Sequence, residues 1–238
     1  MQRRTLTAAL CGAAVLAFGL TGCGDKTPEA PKAVTLTVGA TPVPHADILK
    51  FIEPALKKEG VNLKVVEFSD YVKPNLALSD KELDANFFQH KPYLDTFSAE
   101  RGLKLSVLCS VHIEPMGVYS RKVKSLKDLP EGAKIAIPND PTNGGRALKV
   151  LADAGLFGLK DGVGVKGTPA DVINNTKNFQ LVELEAATLP RTLDDVDAAV
   201  INSNFAMGVG LNPAKDSLAI EAKDSPYANV VAIQIGRA

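Results

Sequence analysis

The apolar positions of this chain fall into short runs that switch between a strand period and a helix period. Thr35 to Val38 alternate as a strand, a polar loop covers Gly39 to His45, and Ile48, Phe51, Ile52 and Leu56 share a helical stripe ending at Gly60. Val61 to Phe68 reads as the next strand. Strand, helix and strand of this size make a βαβ unit, so a parallel sheet with right-handed crossovers is expected. The pattern repeats with a short helix through Leu76 and Leu78, a strand over Asp84 to Phe88, a helix carrying Tyr93, Leu94 and Phe97, and a strand over Leu103 to Cys109. Glu114 to Tyr119 reads as a segment crossing into a second lobe. Beyond it the spacing predicts helices over Lys124 to Leu129, after Pro138 as far as Gly155, and near Ala170 to Asn174. Strands are expected at Ile135 to Ile137, Phe179 to Leu184, Asp197 to Ile201 and Asn229 to Ile235.

Candidate chemistry concentrates in Ala133 to Leu148, AKIAIPNDPTNGGRAL. Pro138 ends the strand because it cannot donate to the ladder. Thr142 or Asn143 is expected to cap the following helix, with Gly144 and Gly145 letting a ligand approach the backbone. Arg146 follows in the first helical turn. Free N–H groups, the helix dipole and a guanidinium together favour an anion there, a carboxylate above all. A solvated arginine after an ordinary loop fits the same residues equally well. Phe88 and His90 sit where a strand runs into a helix, and open α/β sheets bind ligands at such carboxyl ends. With Tyr71 they make a candidate aromatic wall, core packing being the plainer alternative. Asn202 and Asn204 end another strand with amides suited to both ends of a zwitterion.

The first residues change the picture of where this fold resides. Arg3 and Arg4 precede an apolar segment from Leu6 to Leu20, followed by Leu20-Thr-Gly-Cys23. About fifteen apolar residues are too few for the ~20 of a spanning helix, so residues 1–22 read as a lipoprotein signal peptide with Cys23 as the lipidated cysteine. Residues 23–33 form a polar, proline-bearing tether. Loss of Arg3 and Arg4 from 27 basic residues leaves 25 against 27 acidic ones, close to −2, which implies neither nucleic-acid binding nor a polybasic membrane patch. The mature chain is long enough for two modest lobes. Cys109 lies in an apolar strand pattern and is expected to be a buried structural thiol, with no partner for an intrachain disulfide. Gly162, Gly164 and Gly167 spell G-x-G-x-x-G, but no strand precedes them and Thr168-Pro169 follows. No catalytic motif is present, His45, His90 and His112 are widely separated, and neither a metal nor a cofactor is expected.

Taken together, LTGC, VGATPVPHADIL, DANFFQHKPYLD, IPNDPTNGGRAL, LVELEAATLPRTLDDVDAAVIN and SPYANV resemble the bacterial methionine-binding lipoproteins of ABC importers. The resemblance implies an α/β, two-lobed periplasmic-binding-protein-like fold of type II closing over one amino acid. Lobe 1 would take residues 34–117 with 226–238, and lobe 2 residues 118–225; the helices that follow in similar proteins are expected to be missing from lobe 1. The resemblance further implies a non-enzymatic, extracytoplasmic protein, lipid-anchored through palmitate on Cys23, that passes methionine to a permease and its ATPase. The matching side-chain-pocket positions are Tyr71, Phe88 and His90, with Arg146 for the carboxylate and Asn143, Asn202 and Asn229 around the head group. Phe205 stands where tyrosine is frequent in similar proteins. Another small amino acid, a methionine-containing dipeptide or a non-transport surface role are the alternatives.

Overall fold

The computed structural model describes residues 33–236, so the signal peptide, Cys23 and nearly all of the tether lie outside the described residues. Its strands, in chain order, are β1 (Val34–Ala40), β2 (Val61–Glu67), β3 (Ala85–His90), β4 (Leu105–Ile113), β5 (Gly117–Tyr119), β6 (Lys134–Pro138), β7 (Gly158–Leu159), β8 (Val172–Ile173), β9 (Gln180–Leu184), β10 (Ala198–Ile201), β11 (Ala219–Ile220) and β12 (Ala228–Gln234). Two five-stranded sheets carry the fold, ordered β2-β1-β3-β12-β4 and β11-β5-β10-β6-β9, while β7 and β8 pair separately.

The first sheet is mixed rather than parallel. β1 runs parallel to β2 and β3, but β12 inserts antiparallel between β3 and β4. The last strand comes back from the second sheet rather than through a helical crossover, a direction that the βαβ pattern of the first half does not contain. Helix α1 (Asp47–Lys58) joins β1 to β2, and every residue of β3 is buried, with helix α2 (Lys73–Ser79) before it in sequence, α3 (Lys91–Arg101) after it and other strands on both sides. Its polar members are satisfied by one another. Asn75 and Gln89 exchange side-chain hydrogen bonds of 2.8 and 2.7 Å, and Asn86 donates to Asn75 at 2.8 Å and accepts from Gln89 at 2.9 Å. This buried amide triangle ties α2 to β3 and fixes the strand end that leads into His90.

In the second sheet β6 lies parallel to β9 and β10, and β5 lies antiparallel to β10. Ile135, Ile137 and Val200 pack with Leu148 and Leu151 of helix α4 (Pro141–Asp153). Two helix expectations shrink. Residues 124–129 contain only a 3₁₀ turn at Leu126–Asp128, and the segment near Ala170 is a 3₁₀ turn at Pro169–Asp171 followed by β8. Asp171 accepts from the Thr168 N–H at 3.0 Å, a capping box at the start of this turn, and the backbone returns to extended at Val172.

Cys109 is exposed, contrary to its expected burial. It lies on edge strand β4, where Leu108, Val111 and Ile113 are exposed as well. An apolar pattern identifies a strand face suited to packing without showing that anything packs on it. Among the described residues no helix is long and apolar enough to cross a membrane.

Candidate ligand site

The carboxyl end of β3, the turn after β2, the start of α4, the end of β10 and the start of β12 converge on one cavity. Tyr71, Phe88, His90, Asn143, Arg146, Asn202 and Asn229 all line it. Gln89, Tyr93, Glu114, Ser203 and Asn204 complete the wall.

His90 is the N-cap of α3. Its Nδ1 accepts the Tyr93 N–H at 3.1 Å, which leaves the proton on Nε2 to be donated to Asn143 Oδ1 at 3.1 Å. Burial, helped by the Arg146 charge, pushes the imidazole down to about 3 and keeps it neutral. Asn143 Oδ1 also accepts from Asn202 Nδ2 at 2.9 Å, and Asn143 Nδ2 donates to both oxygens of Asp140 at 3.1 and 3.0 Å. Every hydrogen-bonding atom of the Asn143 amide is therefore oriented. Asn202 Oδ1 is different: it is buried and has no hydrogen-bond partner. An acceptor left in that condition calls for a donor.

The cap of α4 is Asp140, not Thr142 or Asn143. Its carboxylate accepts the Asn143 N–H at 2.9 Å, so the helix start is satisfied from within rather than left open as an anion cradle. Pro141 supplies a pre-set φ at the first helical position, which moves the cap one residue before it. The two glycines also serve another purpose. A Cβ on Gly144 would lie 2.9 Å from the Pro138 carbonyl oxygen, and one on Gly145 would lie 2.4 Å from that of Val165. They let α4 approach the protein's own backbone. Gly167 of the accidental glycine motif packs at the same place, where its Cβ would meet the Gly145 Cα at 3.7 Å.

Arg146 meets the cavity as half of a buried ion pair. Its Nε donates to Glu221 Oε1 at 2.9 Å and its Nη2 to Glu221 Oε2 at 2.5 Å and to the Glu114 carbonyl at 2.7 Å. The guanidinium also lies 4.3 Å from the centre of the Tyr227 ring. Neither Glu221 nor Tyr227 was legible as a partner, being some 75 residues away in sequence without a local motif.

The opposite wall is aromatic. Tyr71 lies 5.8 Å from Phe88, 5.8 Å from Tyr93 and 4.8 Å from Phe205 between ring centres. The Tyr71 hydroxyl donates to Asn204 Oδ1 at 2.5 Å, joining a residue beside the first sheet to one beside the second. Asp70 accepts the N–H groups of Val72 and Lys73 at the turn into α2, and its charge still reaches Tyr93 of the aromatic wall. Glu114, in the segment between the sheets, is the acidic residue that sequence reading missed as a cavity member. Burial would raise its pKa, but hydrogen bonds from His112 and His45 overcome that and hold the carboxyl at about 2. His45 and His112, far apart in sequence, are thus neighbours in space. Cys109 is not part of the cavity wall.

A model of the family described as NlpA lipoprotein matches residues 36–237. The chain belongs to the NlpA lipoprotein family. Over 230 residues it is 46% identical to the D-methionine-binding lipoprotein MetQ of Escherichia coli strain K12, with 94% of this chain and 83% of that protein covered. A solved nutrient binding protein from Burkholderia cenocepacia, bound to methionine, is 49% identical with a TM-score of 0.81, and the match covers 84% of each chain. An ABC transporter periplasmic substrate-binding protein from Coxiella burnetii is 43% identical with a TM-score of 0.81, covering 84% of this chain and 85% of that one. The mixed α/β architecture with two sheets is that of this family's substrate-binding proteins.

Proposed function

We propose that the protein captures free methionine in this cavity and hands it to the permease and ATPase of an ABC importer. Cys23 carries the lipid that holds it on the extracytoplasmic side of the cell membrane. Lobe 1 comprises residues 34–117 with 226–238 and lobe 2 residues 118–225, and they close over the ligand between them. One observation carries the reading: a single cavity has an aromatic wall on one side and, on the other, oriented amides, a carboxylate and a buried arginine. An unbranched thioether and a zwitterionic head group match those two halves. The sulfur sits against the edges of Tyr71 and Phe88, worth about 0.3–1.5 kcal/mol over a methylene. Arg146 receives the carboxylate while Glu221 holds its other edge, and Asn202 Oδ1 and Glu114 receive the ammonium. Asn143, His90 and Asn229 position these groups.

No catalytic role is assigned. Both nitrogens of the cavity's histidine are engaged and its pKa is too low for proton transfer near neutrality, and the one thiol among the described residues lies outside the wall. Native mass spectrometry of the purified protein tests the ligand: the expected adduct has the mass of methionine, and a persistent adduct of another mass would reject it. Anchoring is tested separately by Cys23→Ser, which is expected to move the protein from the membrane pellet to the soluble fraction. Retention in the pellet would locate the anchor elsewhere.

A further inference from the structure

Glu114 belongs to a second cluster that methionine recognition does not explain. His112 Nε2 lies 2.7 Å and His45 Nε2 3.1 Å from the same oxygen, Glu114 Oε1. The three potential ligand atoms all fall within 4.8 Å of one another. His45 is held in place from behind, with Thr41 Oγ1 2.7 Å from its Nδ1, and its Nε2 is also 3.1 Å from Asn229 Oδ1. The Phe87 ring stands edge-on to both imidazoles, at 4.6 and 5.5 Å between centres, and walls the cluster off on one side.

We propose that His45, His112 and Glu114 form a binding site for a divalent transition cation of the zinc type, with Asn229 Oδ1 as a fourth donor. Two imidazoles and one carboxylate are a zinc-competent donor set, with bonds of about 2.0–2.2 Å. Tetrahedral bonds of that length set the donors about 3.3 Å apart. The two histidine-to-carboxylate separations of 2.7 and 3.1 Å therefore need to widen by less than about 1 Å, and the two imidazole nitrogens, within 4.8 Å of each other, to close by no more than about 1.5 Å. Thr41 on the far nitrogen of His45 is the outer partner that a metal-bound imidazole uses to fix its ring and tautomer. His112 keeps 24% of its side chain exposed, which gives the cation an entry path that the buried His45 does not. The donors come from the loop after β1, the end of β4 and the start of β12, so an ion there would pin together the segments that lead out of the first sheet. Glu114 and Asn229 also line the ligand cavity, so the site is tested on protein freed of small ligands.

The experiment uses the full chain in detergent without a histidine tag, stripped of metal by chelator and of amino acids by dialysis, and titrated with zinc chloride. About one zinc per chain is expected by calorimetry and by elemental analysis after desalting. His112→Gln keeps a hydrogen-bond donor for Glu114 but loses an imidazole, and is expected to weaken zinc binding at least about tenfold. X-ray absorption of the zinc-loaded wild type is expected to show two imidazoles with oxygen donors, a readout that stands even if the variant does not fold. Failure to take up zinc, unchanged affinity in folded His112→Gln, fewer than two imidazoles, or a sulfur ligand from Cys109 would each overturn the site and leave the cluster as two imidazole donors on a carboxylate.

Discussion

Arg146 has one charged partner in the fold, Glu221, and a proposed one in the ligand. Arg146→Ala removes the proposed carboxylate partner from the cavity and leaves the half-buried Glu221 with the Met116 N–H but no counter-charge, so a loss of about 1–3 kcal/mol in stability is expected beside the loss of affinity. Replacing both members, Arg146→Met with Glu221→Gln, is expected to restore most of the urea midpoint, because neither charge is then stranded. Methionine affinity in the double variant should stay down by more than about a hundredfold. Wild-type affinity there would mean that Arg146 serves only Glu221. His90 provides a pH signature. Its folded-state pKa of about 3 lies below the ordinary 6.5, so the unfolded chain takes up the proton first and folding loses ground as pH falls below about 6.5. From about pH 6 to about pH 5 the wild type is expected to lose about 1.2 kcal/mol more than His90→Gln, measured by urea unfolding at each pH. Parallel curves would show that His90 is not held neutral. What was legible at this scale was local: Phe88 and His90 at a strand end and Arg146 after a polar loop follow from adjacent residues. Glu221 and the His45, His112 and Glu114 cluster were not, because contacts between distant segments leave no periodic trace.

At the scale of elements, α4 depends on how closely it approaches its surroundings. Gly145→Ala would drive a Cβ to within 2.4 Å of the Val165 carbonyl oxygen, and a loss of about 1–3 kcal/mol is expected from the forced backbone shift. Gly208, in helix α5 (Ser203–Gly208), has nothing within 4 Å of an added Cβ, and Gly208→Ala is expected to be neutral or to gain up to about 1 kcal/mol. Urea midpoints of the two variants compare them directly, and equal losses would contradict the packing role of Gly145. Most helices and strands could be read from apolar spacing because each buries one face. The failures share a cause. Lys124 to Leu129 and Ala170 to Asn174 are too short for apolar spacing to tell a helix from a single 3₁₀ turn, and Cys109 lies on a strand whose apolar face is open among the described residues.

At the scale of the molecule, the same cavity draws residues from both sheets, and the bonds Tyr71 to Asn204 and His90 to Asn143 cross between them. The antiparallel return of β12 makes this possible, since it delivers Asn229 beside His90 and His112 at the end of the first sheet. That return could not be read from the βαβ pattern, although the family strings carried the expectation of two lobes. With no tryptophan in the chain, titration calorimetry is the direct measurement of ligand recognition. On ligand-stripped protein, methionine is expected to bind one to one, norleucine about two- to tenfold more weakly, and lysine not at all. Phe88→Ala should weaken methionine and norleucine together. Lysine binding as tightly as methionine, or methionine affinity unchanged in Phe88→Ala, would contradict recognition of an uncharged thioether chain by this cavity.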